Sequence, residues 1–309
     1  MTTDTIEQNY PHLLERIRPV VDLPDKERLF FIEEDHWIGY DRAQKILNLL
    51  EDLLARPKKV RPQSLLIVGD PNMGKTTIIL EFVKRHYTEV IEEPDSSFKV
   101  VKKPVINIAA PTSSDEKSLF IAILDHFFAP FRPTDPKAKL RQQAIHLMQR
   151  FQTRMLIIDE LHNFLSGGPA GQRESMIALK NLSNELGLSI VGVGTKDAVQ
   201  VLHTDPQHAS RFDVAELPKW DLDTNFLKLL ASYEKLLPIK YESDLKSKEL
   251  ATTLYQISSG NLGDLNKLLV ACAKSAIETG EEKITHAIIM SHKDIKPTKG
   301  QRNIRYIDL

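Results

Sequence analysis

Between an apolar run, SLLIVG (64–69), and a helix-forming stretch that begins near Lys75 lies the segment GDPNMGKT, Gly69 to Thr76. Its two glycines and the Lys-Thr pair stand where an eight-position phosphate loop requires them. Glycine lets the backbone curl until successive N–H groups point inward, and the helix that follows adds the positive end of its dipole. Gly69, Asp70, Pro71, Asn72, Met73 and Gly74 would form the cradle. Lys75 would reach the β- and γ-phosphates of a nucleotide, and the Thr76 hydroxyl would ligate Mg²⁺. A strand before the loop and a helix after it make a surface turn with a lone lysine a poor alternative.

A chain with this loop needs a parallel sheet, and the rest of the sequence supplies one. The runs PVINIA (104–109), RMLIIDE (154–160) and LSIVGVGT (188–195) are short, apolar and unalternating, and helical patterns separate them. That is how parallel strands covered on both faces read. Beyond the turn at Pro218–Asp221 only helical patterns remain. The expected architecture is α/β, a three-layer AAA+ P-loop NTPase domain over 36–220 with a helical lid subdomain over 221–292. An N-terminal arm (1–35), broken by Pro11, Pro19 and Pro24, and a basic tail (293–309) flank them.

The strand MLIID carries Asp159 and Glu160 to its C-terminal end, where a doubly wound sheet places its ligand. Asp159 would hold Mg²⁺ through water, and Glu160 would polarise the attacking water. Thr195 ends a further strand and would touch the γ-phosphate or that water. Arg211, in HASRF (208–212), would reach the γ-phosphate of a neighbouring subunit, a task suited to a planar, permanently charged fork. The segment SGNLGDLNKLL (259–269) opens a lid helix without an arginine; Lys267 is its nearest cation. His162 and Asn163 read as local hydrogen bonders, since no metal ligands are spaced to join His162.

Composition sets outer limits. No apolar run is long enough for a membrane span. The acidic, polar start, MTTDTIEQNY, does not read as a signal peptide. The single cysteine, Cys272, falls in an apolar helical stretch and fits a buried thiol in a reducing cytoplasm. A formal charge of −1 does not by itself favour or exclude nucleic acid. Its distribution is uneven: 131–154 holds Arg132, Lys137, Lys139, Arg141, Arg150 and Arg154 against Asp135, and RPKKVRPQ (56–63) is a basic loop.

The segments WIGYDRA, GDPNMGKT, LIIDELHNFL, GLSIVGVGT, the SRF arginine and GNLGDL occur here in the order found in TniB, so the chain resembles that family over roughly 15–290. The resemblance implies an ATP-binding AAA+ regulator of bacterial transposition, related to TnsC. Such a protein oligomerises as a ring or filament on duplex DNA without reading its sequence. It recruits or activates a DDE-type transposase, with a TniQ-like targeting protein as a further partner, in the bacterial cytoplasm and on the nucleoid when DNA-bound. Carried over by residue, Ile38, Gly39 and Tyr40 begin the adenine pocket. Gly69, Gly74, Lys75, Thr76, Thr77, Asp159, Glu160, Thr195 and Arg211 match the nucleotide machinery. Lys117, Thr134, Lys137 and Lys139 correspond to DNA contacts. Two other readings stay open: a helicase loader or replication initiator, and a nucleotide-dependent signalling switch that binds no DNA. The missing lid arginine and the lack of an appended helix-turn-helix lean against an initiator.

Overall fold

The computed structural model describes residues 10–86, 88–92, 99–203 and 210–294. The first nine residues of the expected arm, the tail after 294, and His208 and Ala209 of HASRF lie outside them. The chain divides into two compact units, one from Arg42 to Pro218 and one joining the segment up to Asp41 to the segment from Lys219 onward.

In the second of these, α1 (Arg18–Val21) and α2 (Asp25–Glu33) precede the α/β unit in sequence. The α/β unit takes in most of α3 (Asp41–Ala55), then β1 (Ser64–Gly69), α4 (Lys75–Arg85), a β2 (Glu89–Glu92) and β3 (Lys99–Lys102) hairpin, β4 (Val105–Ala109) and α5 (Glu116–His126). It continues through α6 (Lys137–Arg150), β5 (Met155–Asp159), α7 (Leu161–Phe164), α8 (Pro169–Leu186), β6 (Ser189–Gly194), α9 (Asp197–His203) and β7 (Phe212–Leu217). The helices α10 (Thr224–Glu234), α11 (Lys248–Ser258), α12 (Leu262–Glu278) and α13 (His286–Ser291) complete the helical unit.

The main sheet runs β4-β5-β6-β1-β7 and every pairing in it is parallel. β1 and β6 are buried along their whole length, and β5 up to Asp159. Leu66, Ile106, Leu156 and Ile158 are at most 5 % exposed and share one core with Phe120, Phe164 and Leu179 from the flanking helices. Each such Leu or Ile contributes roughly 1.5–3 kcal/mol by leaving water, more than the ~1 kcal/mol span of β propensities. Burial therefore dictates these strands. β7 differs: FDVAEL exposes Asp213, Val214 and Glu216, as an edge strand does. Neither it nor the β2–β3 hairpin is among the strands expected from the sequence.

Residues 10–41 pack into the helical unit. Arg28, only 1 % exposed, donates from Nη1 to Glu282 Oε1 (2.8 Å) and from Nη2 to Glu282 Oε2 (2.5 Å) and the Pro238 carbonyl (2.7 Å). Lys240 Nζ lies 3.0 Å from the same carboxylate. Burial pushes the Glu282 carboxyl up, but hydrogen bonds from Arg28 and Lys240 outweigh it and hold it below the usual range. A depressed carboxyl contributes stability above its unfolded pKa and loses it as pH falls through the folded value. Arg28→Met should cost about 3–5 kcal/mol, because it removes the two-pronged partner of a buried carboxylate and leaves it to Lys240 alone. Thermal unfolding at neutral and acid pH checks this: the deficit should shrink in acid, and an equal deficit at both would contradict the ion-pair account. Cys272 is fully buried in α12, and burial pushes its thiol up to about 12, as suits a core thiol.

Candidate functional site

Parallel pairing puts the C-terminal ends of β1, β5 and β6 on one rim of the sheet, and the loop from Gly69 to Gly74 rises from it. A Cβ on Gly69 would lie 2.6 Å from the Leu217 carbonyl of β7, so only glycine fits there. Gly74 caps α4 in the left-handed region, φ 81° and ψ 14°, where an L side chain is disfavoured. Met73 is 2 % exposed and pins the loop from below, while Pro71, Asn72, Thr76 and Thr77 face solvent and Asp70 is half-buried.

Lys75 is 7 % exposed, and its Nζ donates to the carbonyls of Gly69 (3.0 Å) and Asp70 (2.9 Å). Burial lowers its pKa, opposed by the charges of Glu160, Asp159 and Asp70. The ammonium is thus held inside the loop with carboxylates about it.

The Thr76 hydroxyl donates to Asp159 Oδ2 at 2.8 Å, across 83 residues of sequence. A hydroxyl beside a carboxylate is the sparse oxygen set that suits Mg²⁺, which keeps most of its waters and takes further ligands from phosphates. Among the described residues no cluster of three or more His, Cys, Asp or Glu offers a denser metal cage. Asp159 Oδ1 accepts from the Glu160 N–H at 2.8 Å. Glu160 adopts φ 55° and ψ 37°, a conformation that costs a non-glycine residue about 1–3 kcal/mol. That turn swings its carboxylate off the end of β5 and into solvent. Oε2 stands 3.3 Å from His162 Nδ1, a nitrogen that is buried and has no well-aligned hydrogen-bond partner. Thr195 follows Gly194, which pairs with Val68, so it stands on the same rim as the loop. Its hydroxyl donates to Asp197 Oδ2 at 3.1 Å.

Arg211 is elsewhere. Its carbonyl accepts from Ser64 N, at the start of β1, and its Nη1 donates to Asn184 Oδ1 of α8 at 2.8 Å. It therefore stands on the opposite rim, about 17 Å of strand away from the loop of its own chain, at ~3.3 Å per residue. Ile38, Gly39 and Tyr40 belong to the helical unit. There Ile38 packs on the cluster of Tyr10, Leu13 and Ile17, and Tyr40 meets Trp220 edge-on at 5.2 Å. The described lid helices carry no arginine, and Lys267 is an exposed residue of α12.

The cations expected to meet DNA fall around the starts of α5 and α6, and two of them are paired. Lys137 Nζ lies 3.0 Å from Glu116 Oε2, and Lys139 Nζ lies 3.0 Å from Asp135 Oδ1. Thr134 is exposed on the turn before α6. Lys117, half-buried, sits in the first turn of α5, where the helix dipole disfavours a cation by about 0.3–1 kcal/mol. Among the described residues it has no acidic partner.

No curated protein matches the sequence. Solved structures resemble the fold at low identity. The ORC2 protein of Aeropyrum pernix, solved as ADPNP–ADP complexes, is 16 % identical with a TM-score of 0.59, covering 85 % of this chain and 71 % of that one. Cdc6p from Pyrobaculum aerophilum is 15 % identical, TM-score 0.59, with 89 % and 72 % covered. The ORC1 protein of Aeropyrum pernix, solved in complex with DNA, is 17 % identical, TM-score 0.54, with 85 % and 68 % covered. These likenesses and the parallel sheet show the AAA+ α/β P-loop fold. Among the described residues no helix is long and apolar enough to cross a membrane. The family model for the bacterial TniB protein matches residues 28–222, well over half of the chain, and the chain belongs to the TniB family.

Proposed function

We propose that this chain is an ATP-dependent regulator of DNA transposition, which binds ATP at the Gly69–Thr77 loop, assembles on duplex DNA and hands a bound target to a DDE-type transposase. The observation that supports it most is the 2.8 Å contact between Thr76 and Asp159 beside a buried Lys75, on the rim that carries Glu160 and Thr195. Loop N–H groups and Lys75 would hold the phosphates, with Ile38, Gly39 and Tyr40 toward the adenine. Thr76 and Asp159 would hold Mg²⁺, which would supply positive charge against the charge that develops on the phosphates. Glu160 would accept a proton from the water that attacks the γ-phosphorus, and Thr195 would orient that water. DNA binding draws support from family membership and from the DNA-bound ORC1 protein whose fold this chain shares. Lys117, Thr134, Lys137 and Lys139 remain its candidate contacts. A TniQ-like partner and a nucleoid location draw their support from the same membership.

Hydrolysis by this arrangement needs a second subunit. Arg211 stands on the rim away from its own loop, so it completes the site only in trans. Arg211→Ala should bind nucleotide normally and lose most ATP turnover. Mixing it with a Lys75→Ala chain should restore part of that activity, since one interface then pairs an intact loop with an intact arginine. Absence of rescue in mixtures shown to co-assemble would contradict an action in trans.

A further inference from the structure

The cations of this protein are not distributed as the sequence suggests. Half of the six cations in 131–154 are neutralised in three dimensions: Lys137, Lys139 and Arg141 pair with Glu116, Asp135 and Glu185. The short loop between α3 and β1 behaves differently. Arg56, Lys59 and Arg61 line a cavity of about 100 Å³ together with Arg154, Gly187 and Ser189, and no carboxylate lines it. Lys58 lies beside Gly187 at its edge. Among the described residues none of these five cations pairs with an acid. Arg154 is held in place, its Nη2 donating to the Arg56 carbonyl and its own carbonyl accepting from Ser189 N at 3.0 Å. Val60, at the centre of the loop, is 84 % exposed, so the loop projects into solvent.

Several cations gathered in one concavity repel each other, and a fold gains nothing from that arrangement. One sign of charge in a cleft does attract anions. The cavity is far below the roughly 300 Å³ that a small-molecule site needs, so it suits a small anion such as a single phosphate group. Gln63, Arg154 and Ser189 begin or immediately precede β1, β5 and β6, so the cavity is on the rim opposite the phosphate loop, about 17 Å of strand away. ATP bound by the same chain cannot reach it.

We infer that this basic rim is a second phosphate-binding surface, and that it engages the backbone of duplex DNA. One phosphate would seat over Arg154, with Arg56, Lys58, Lys59 and Arg61 along the strand beside it. A duplex repeats its charge every few ångströms and so uses cations that extend past a one-phosphate cavity. This inference rests on the DNA-binding reading above.

The test is fluorescence anisotropy of labelled duplexes of unrelated sequence, titrated across salt with the full chain and ATP. The native chain is compared with the R56E/K59E/R61E variant. Unfolding temperature and ATP affinity should be unchanged, since the loop is exposed and far from the nucleotide. DNA affinity should fall at least tenfold, and the salt slope should shrink by about 0.9 for each phosphate that the variant no longer neutralises. If the native chain binds duplex and the variant matches it in affinity and slope, the inference is overturned and the DNA reading stands. If the variant binds DNA normally but loses ATP turnover, the loop serves a neighbour's nucleotide and the inference is again overturned. If the native chain binds no duplex under any nucleotide, the DNA reading fails and takes this inference with it.

Discussion

Glu160→Gln should bind ATP as the native chain does and hydrolyse it about a hundredfold or more slower, the usual loss when a positioned base is removed. The two side chains are nearly the same size, and the amide keeps an acceptor oxygen, so the strained turn at φ 55° should survive. What disappears is the charge proposed to draw a proton from water. Thr76 and Asp159 are untouched, so the proposed metal and phosphate contacts should remain. ATP-bound assemblies should therefore accumulate and outlast those of the native chain. Single-turnover hydrolysis measured beside nucleotide binding separates the two effects. Equal turnover in variant and native chain would remove Glu160 from the chemistry. Because His162 Nδ1 lies 3.3 Å from the Glu160 carboxylate, the same assay on His162→Ala shows whether that contact restrains the glutamate.

Lys75→Ala acts one step earlier. The ammonium is buried in the loop and would exchange its two carbonyl partners for phosphate oxygens. A hydrogen bond to a charged group contributes about 1.5–3 kcal/mol, so losing two should weaken ATP binding roughly a hundredfold or more. Without nucleotide the variant should unfold at nearly the native temperature, because the fold gives up only a buried cation whose burial is itself unfavourable. A ligand at a hundred times its Kd stabilises the native chain by about 2.7 kcal/mol, and this increment should vanish in the variant. Thermal unfolding with and without ATP and Mg²⁺ reads both quantities. A full ATP-dependent shift in Lys75→Ala would mean that the phosphates bind elsewhere. Lys75→Arg should not rescue binding, since a planar fork does not fit the space of a compact ammonium.

The legible parts of this chain are those whose physics is local. β1, β4, β5 and β6 are fully or mostly buried, so each appears in the sequence as an uninterrupted apolar run. β7 was not legible for the opposite reason: it is an edge strand, and Asp213 and Glu216 face out from it. With β7 unseen, the rim that carries Arg211 was hidden too, although the residue itself stood out. The loop and the acid pair were legible because glycine, Lys-Thr and two acids at a strand end have few other uses in that order. Their meeting, Thr76 on Asp159, follows once β1 and β5 are placed in one parallel sheet. Long-range charge pairing was not legible. Arg28 and Glu282 are 254 residues apart, and nothing near either marks it for burial. Lys137 looks like a solvent cation until α5 brings Glu116 beside it. RPKKVR reads from the sequence as a basic loop, and only the fold shows that Arg154 joins its cations around one cavity.

Under the proposed function, nucleotide state decides whether this protein assembles on DNA. Electron microscopy of the full chain with a long duplex of arbitrary sequence tests it most directly, with ATP, a slowly hydrolysed analogue, or ADP. The account predicts ordered rings or filaments along the duplex with ATP and the analogue, and bare DNA with ADP. Assemblies equally abundant with ADP, or particles that form with ATP yet never lie on the duplex, would contradict it.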